Sequence, residues 1–274
     1  MANLYVQALH MHPVKSLAGT APGEAVVEPW GLSGDRRWAL VDAGGTVITQ
    51  RQQPRLALAS ARPAGGGAVA VSAPGMAELV VEVPVHGRLE PVLLFGKKVP
   101  TVAAAGAAAD WFGAYLGVPA RLVHLDDPAV RRPVDPHYAL PGETVSLADG
   151  YPLLATTLAS LEALNALIAQ GDHPQEGPLP MDRFRPSVVV GGGEPWAEDA
   201  WERLAIGDAV FRGVRECGRC IVTTTDQRTA RRGKEPLATL ARHRRIGTSL
   251  AFGRQLVPVR PGTVRVGDEV RVLG

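Results

Sequence analysis

The chain has 274 residues, enough for two modest domains, and its 46% apolar and 20% charged content provides a core and excludes a disordered chain. A net charge of +2 is too mild to point to nucleic acid, and no run approaches the ~20 apolar residues of a membrane span. Glycine and proline, 31 and 23 residues, imply many turns and therefore many short strands. The N-terminal stretch MANLYVQALHMHP is strand-like and lacks the charged and apolar regions of a signal peptide, so a soluble cytoplasmic protein is expected.

In chain order, Leu4, Val6 and Ala8 alternate as in a half-buried strand. Residues 38–41 and 46–49 flank Asp42-Ala43-Gly44-Gly45, a hairpin signal, and 68–72 and 78–83 form a second pair around Ala73-Pro74-Gly75. From 102 to 116 the period turns helical, with Trp111, Tyr115 and Leu116 on one face and Gly117 as C-cap. Residues 121–125 return to strand. The segment 126–149 holds four prolines and reads as a long connection. The domain boundary is placed at its start, giving domains 1–125 and 126–274. Residues 157–169 form the clearest helix, with an apolar stripe through Leu158, Leu161, Leu164, Leu167 and Ile168, ended by Gly171. A buried strand follows at 187–190, and Gly-Asp turns at 206–210 and 266–270 predict two hairpins. The fold class is mainly β with helices (α+β), a barrel rather than a Rossmann sheet, because strands and helices do not alternate regularly.

The two cysteines, Cys217 and Cys220, cannot supply a disulfide framework or an iron–sulfur cluster, which needs about four thiolates. A thioredoxin-like pair needs a helix after the first thiol, whereas Ile221-Val222-Thr223-Thr224-Thr225 favours strand. None of His10, His12, His86, His124, His137, His173 and His243 has zinc-site spacing. Two readings stay open: buried structural thiols, or one thiolate acting as soft-metal ligand or nucleophile with Arg219 favouring its charged form. Lys15-Ser16, Asp35-Arg36-Arg37, Arg51, Arg55 and Arg185 sit in turn contexts, and their convergence would suit a phosphate or carboxylate. Arg228, Arg231, Arg232, Lys234, Arg242, Arg244 and Arg245 form a basic run opposed mainly by Asp226 and Glu235, either a solvated helix-rich face or a dock for an acidic partner. The run lacks aromatic residues to stack on bases, which argues against nucleic acid. Gly191-Gly192-Gly193 lacks the Gly-Lys-Ser/Thr ending of a phosphate loop, and no G-x-S-x-G elbow occurs.

A dozen fragments run in one family's order: HPVKS (12–16), GDRRW (34–38), RQQPRL (51–56), RLVHLDDP (121–128), ADGYPLL (148–154), SLEALN (160–165), FRPSVVV (184–190), AEDAWERLAIGD (197–208), CGRCIVTTTD (217–226), KEPLATL (234–240), FGRQLV (252–257) and PGTVRVGDEV (261–270). Together they resemble MOSC-domain proteins with an N-terminal β-barrel, of the amidoxime-reducing-component type. The resemblance implies an N-terminal β-barrel-like domain followed by a MOSC β-barrel domain. It implies the molybdenum cofactor, with Cys220 rather than Cys217 as metal ligand. Lys15, Ser16, Arg36 and Arg185 would hold the pterin and its phosphate, with Ser187 and Arg219 in the same cofactor-binding set. Asp149, with Gly150 and Tyr151, would line the metal side, and Cys220 and Asp149 would carry catalysis. Gly218, Gly150 and Tyr151 depart from residues that bear hydroxyls in the mitochondrial proteins, which implies backbone contacts there instead. The implied activity is molybdenum-dependent reduction of small N-oxygenated compounds, with electrons from a separate ferredoxin, flavoprotein or cytochrome. The alternative is a cofactor or sulfur carrier using Cys220 as a persulfide or cargo site. Neither nucleic acid nor a membrane is expected as partner.

Overall fold

The computed structural model describes residues 3–85 and 87–273, so His86 lies outside the described residues. Two curled sheets dominate, both nearly closed. One has eight strands, ordered Tyr5–Leu9, Val188–Gly191, Leu153–Thr157, Ser249–Arg260, Ala209–Gly218, Arg203–Ile206 and Val270–Val272, with Arg245–Ile246 paired to the side of Ser249–Arg260. Its ends meet where Tyr5 bridges Glu269 and Val270 N–H donates to Leu4 O. The other has five strands, Val47–Ile48, Trp38–Val41, Arg121–His124, Lys97–Ala103 and Leu89–Leu94, and closes through a Thr46–Leu93 bridge. Each barrel encloses apolar side chains: Val6, Leu9, Leu204, Phe211 and Leu256 in the larger, Ala39, Val41, Val92 and Val123 in the smaller. Closure leaves few free edges to be protected. A three-stranded sheet, Ser60–Pro63, Val69–Ser72 and Leu79–Val81, covers a third core around Trp38 and Phe112.

The first strand therefore pairs within the barrel built mainly by the second half of the chain, and Glu24–Glu28 pairs with Gly262–Arg265. The chain segment just after that strand, residues 10–16, crosses from one barrel to the other. Among the described residues no helix is long and apolar enough to cross a membrane.

The hairpin around 42–45 forms as expected: the Asp42 carboxylate accepts from Gly44 N and Thr46 N, each at 2.9 Å. The helix Leu158–Ala169 is capped by Thr157, whose hydroxyl accepts from Ser160 N at 3.1 Å, and it buries Leu161, Leu164 and Ile168. Helix Gly106–Leu116 ends on Gly117, left-handed at φ 72°, which donates to Gly113 O.

Five expectations need correction. The register slips between Val6 and Ala8, so Val6 and Leu9 are buried instead of a strict alternation. The helix predicted from 102 begins at Gly106, because Lys97–Ala103 forms a strand whose proline, Pro100, faces Pro91 in a hairpin with Leu89–Leu94. The turn at 266–270 is no hairpin: Gly262–Arg265 pairs with Glu24–Glu28, and Val270–Val272 with Arg203–Ile206. Ile221–Thr224 is a 3-10 turn, not a strand, since the Thr223 and Thr224 hydroxyls donate to Cys220 O and Ile221 O at 2.8 and 2.9 Å. The basic run is not a helix-rich face; only Leu237–His243 within it is helical.

Candidate active site

Where the barrels meet, one cleft is lined by Lys15, Ser16, Arg36, Asp149, Gly150, Tyr151, Arg185, Ser187, Arg219 and Cys220, all ten of the residues that the resemblance assigns to the site. Arg51 and Cys217 line it as well. Asp149 supplies its one carboxylate, against five cationic side chains.

Lys15 is carried in by the crossing segment and is almost wholly buried. Its Nζ donates to Leu147 O at 2.9 Å and to Asp149 Oδ1 at 2.5 Å. Burial lowers its pKa to about 8, and Asp149 offsets only part of that. The Asp149 side chain is 62% exposed at the cleft, yet the protein around it still desolvates it, which acts to raise its pKa. The charge and hydrogen bond of Lys15, then the charges of Arg51 and Arg36, outweigh this and hold the carboxyl well below the usual range. Its backbone is held from behind: Arg132 donates to the carbonyls of Ser146, Ala148 and Asp149.

Arg36 pairs with the buried Asp35 and donates Nη2 to Arg185 O at 3.1 Å. Arg185 closes the 3-10 turn Met181–Phe184, and its own Nη2 is buried with no hydrogen-bond partner among the described residues. Burial, then the nearby charge of Arg36, push its pKa down to about 9. A guanidinium keeps its proton in proteins, so this crowding is a standing cost that a bound anion would relieve. Ser187 is buried beside it, accepting Leu154 N–H on its hydroxyl at 3.3 Å.

Ser16, Arg36 and Arg185 all have left-handed backbones, at φ 71°, 48° and 51°. Such residues cost about 1–3 kcal/mol each and cluster where surrounding structure holds a site in place. Among the described residues, three of the six non-glycine residues with positive φ lie in this one cleft.

The two thiols have separate surroundings. Cys217 is buried and accepts from Arg219 Nη1 at 2.8 Å and Gln255 Nε2 at 3.0 Å; burial pushes its pKa up, and Arg219 counters only part of this. Cys220 is partly exposed, with Arg51 Nη2 3.2 Å from its Sγ. This corrects the expectation that Arg219 serves Cys220. Along extended backbone residues two apart share a side, so Arg219 turns toward Cys217 and away from its immediate neighbour. Arg51 also reaches Asp149 Oδ2, at 3.6 Å, and so links carboxylate and thiol. Gly218 is tight, since a Cβ there would meet Ser249 Oγ at 3.2 Å, whereas one at Gly150 would meet open space.

Arg51, expected among the converging turn cations but assigned no role, and Arg132 complete the site, whereas Arg37 and Arg55 do not line it: Arg37 donates to Leu125 O and Arg55 lies over the Tyr115 ring. Arg51 had a signal, its place in the RQQPRL fragment; Arg132 lies in the proline-rich connection and had none. The basic run disperses. Arg232 Nη2 donates to Gln50 O and Arg51 O at 2.6 and 2.7 Å, while Arg242 and Arg244 pair with Asp172 and Asp199. Asp226 and Glu235 are otherwise engaged: Asp226 accepts from Arg183 and its own loop, and buried Glu235 accepts from Thr239 N. Arg228, Arg231 and Lys234 remain exposed.

A thiol beside a dense set of cations, one of them unpartnered, suits an anionic ligand carrying a soft metal. Comparison with known proteins gives that chemistry a family. Residues 3–119 match the MOSC N-terminal beta barrel domain and residues 142–271 the MOSC domain. The human mitochondrial amidoxime-reducing component 1 is 34% identical over 98% of this chain and 83% of its own length. The chain belongs to this family of MOSC-domain proteins. The human mitochondrial amidoxime reducing component 2 is 33% identical over 97% of this chain and 82% of its own. A molybdenum cofactor sulfurase from Oryza sativa is 28% identical over 92% of this chain, which spans only 32% of that longer protein.

Proposed function

We propose that this MOSC-family chain binds the molybdenum cofactor in the cleft and reduces small N-hydroxylated compounds with electrons from a separate donor protein. The observation that carries the reading is the convergence of five cations on one cleft, with Arg185 Nη2 buried and unpartnered beside the partly exposed thiol of Cys220. In this reading Cys220 Sγ ligates the metal, with the Arg51 guanidinium 3.2 Å away. Lys15, Ser16, Arg36, Arg185, Ser187 and Arg219 hold the pterin and phosphate. Asp149, Gly150 and Tyr151 face the metal side. The two domains divide at 125/126.

When bound, the cofactor supplies the two-electron acceptance of an oxygen atom. The overall change is R–NHOH + 2e⁻ + 2H⁺ → R–NH₂ + H₂O, so protons must reach the site. Lys15, its pKa lowered by burial to about 8, holds one at Nζ against Asp149 Oδ1. Asp149 stays ionised and keeps that proton oriented. Arg228, Arg231 and Lys234 form the exposed cationic edge available to an acidic donor. Cofactor-loaded protein supplied with a chemical reductant is expected to convert benzamidoxime to benzamidine over many turnovers. A single turnover or none would reject the reductase reading.

A further inference from the structure

The turn joining Leu89–Leu94 to Lys97–Ala103 has only two central residues, Phe95 and Gly96, with Leu94 paired to Lys97. Both have positive φ, 51° and 77°. Such a turn asks for Asn, Asp or Gly at its first central position, because a bulky side chain is strained there. An aromatic residue at this place contradicts the local preference. Nor is it core packing, since Phe95 is 52% exposed. The ring stands instead against two cations of the cleft, with Lys15 Nζ 5.3 Å and Arg51 Cζ 5.1 Å over its centroid. The same Arg51 guanidinium is 3.2 Å from Cys220 Sγ, so one side chain separates the ring from the thiol. Departures from local rules that surrounding structure tolerates are expected at functional positions.

We propose that Phe95 is a specificity-determining residue, an exposed aromatic platform on which a flat conjugated ring of the substrate stacks while its N-hydroxyl group faces the Cys220 side of the cleft. This rests on the reductase reading for its reaction, but the platform itself can be tested by binding. Lys15 and Arg51 take up part of the ring as cation–π partners, yet it stays 52% exposed and its side chain has no polar atom for the cofactor. What it offers is apolar π surface at the mouth of a cationic cleft, useful to a ring and of little use to a small aliphatic group.

The test compares benzamidoxime with acetamidoxime, which share the reacting group and differ in the ring. Phe95→Asn places at the turn the residue it prefers, so the melting temperature is expected to hold or rise. For benzamidoxime, KM is expected to rise about fivefold, the worth of one aromatic contact, with kcat nearly unchanged. A loss that comes through the Lys15 and Arg51 contacts falls on both substrates alike, so the KM of acetamidoxime is expected to rise less than that of benzamidoxime, and Phe95→Tyr to restore the benzamidoxime KM. Equal losses for both substrates, or none for either, would overturn the platform. If the wild-type protein reduces neither compound, the reductase reading fails, and calorimetric binding of benzamidoxime still decides: weaker binding to Phe95→Asn supports the platform, and unchanged or absent binding overturns it.

Discussion

In the cleft, Lys15, Arg36, Arg51, Arg185 and Arg219 face a single lining acid, Asp149, from buried or half-buried positions on left-handed or looped backbone. Along 228–245, the same residue types lie largely exposed, and Arg242 and Arg244 each have a carboxylate of their own. The first arrangement works against stability in the empty state, because desolvation and like charge both oppose it. The second is nearly indifferent, because solvent screens it. Cations kept together against their own repulsion need a reason, and a bound anion is the reason the geometry offers. Arg232 connects the two regions, fixing through its carbonyl contacts the backbone that presents Arg51 to Cys220.

The largest effect that would sharpen this contrast is expected at Arg185. Arg185→Gln should weaken cofactor retention by about 2–5 kcal/mol, as for a truncated buried charge pair, while the apoprotein is equally or more stable. Bound pterin and apoprotein melting temperature, measured side by side, check both halves; a destabilised apoprotein would contradict the crowding argument.

Lys15 gives a pH signature. Its folded pKa, about 8, lies below its ordinary 10.5, so between these values the unfolded chain binds more protons and stability rises with pH. The burial penalty is present in full below about pH 8 and relieved above it. Denaturant unfolding of the apoprotein from pH 8 to 10.5 should show that rise, and Lys15→Met should flatten it. Cofactor retention should change oppositely, falling as pH climbs through about 8 and the cation is lost. A retention profile flat across that range would remove Lys15 from the anion site.

Arg232→Ala should destabilise by about 1 kcal/mol after solvent screening and reduce turnover with protein and chemical reductants alike, since it disturbs Arg51. Charge reversal at Arg228 and Arg231 should instead slow only turnover that depends on a protein donor; equal loss with a chemical reductant would sink the docking edge. Arg242→Gln should leave melting temperature and turnover alike unchanged, the smallest effect of the set, because Arg242 and Asp172 are both exposed.

Much of this was readable in the chain beforehand, and for identifiable reasons. Hairpins with strong turn chemistry, such as Asp42-Ala43-Gly44-Gly45, and the Leu158–Ala169 stripe depend on local sequence. The ten residues that meet in the cleft were legible because ordered fragments from both barrels carried the resemblance. What stayed hidden depends on long-range contacts. Arg132 acts through backbone carbonyls 14 to 17 residues away, which no local pattern encodes. The threonine run after Cys220 misled because its hydroxyls found nearby carbonyls, an alternative to the strand that β-branching favours. Phe95 went unseen because its strand pair, with Pro91 and Pro100 opposite each other, does not alternate cleanly.

The most direct test of the central claim, that the cleft's cations and the Cys220 thiolate together hold a molybdenum–pterin cofactor, is the metal and pterin content of protein purified from a host rich in that cofactor, wild type beside Cys220→Ser and Cys217→Ser. The account predicts near-equimolar molybdenum and pterin in the wild type, largely kept in Cys217→Ser, with molybdenum lost in Cys220→Ser. Neither component in the wild type, or loss confined to Cys217→Ser, would contradict it.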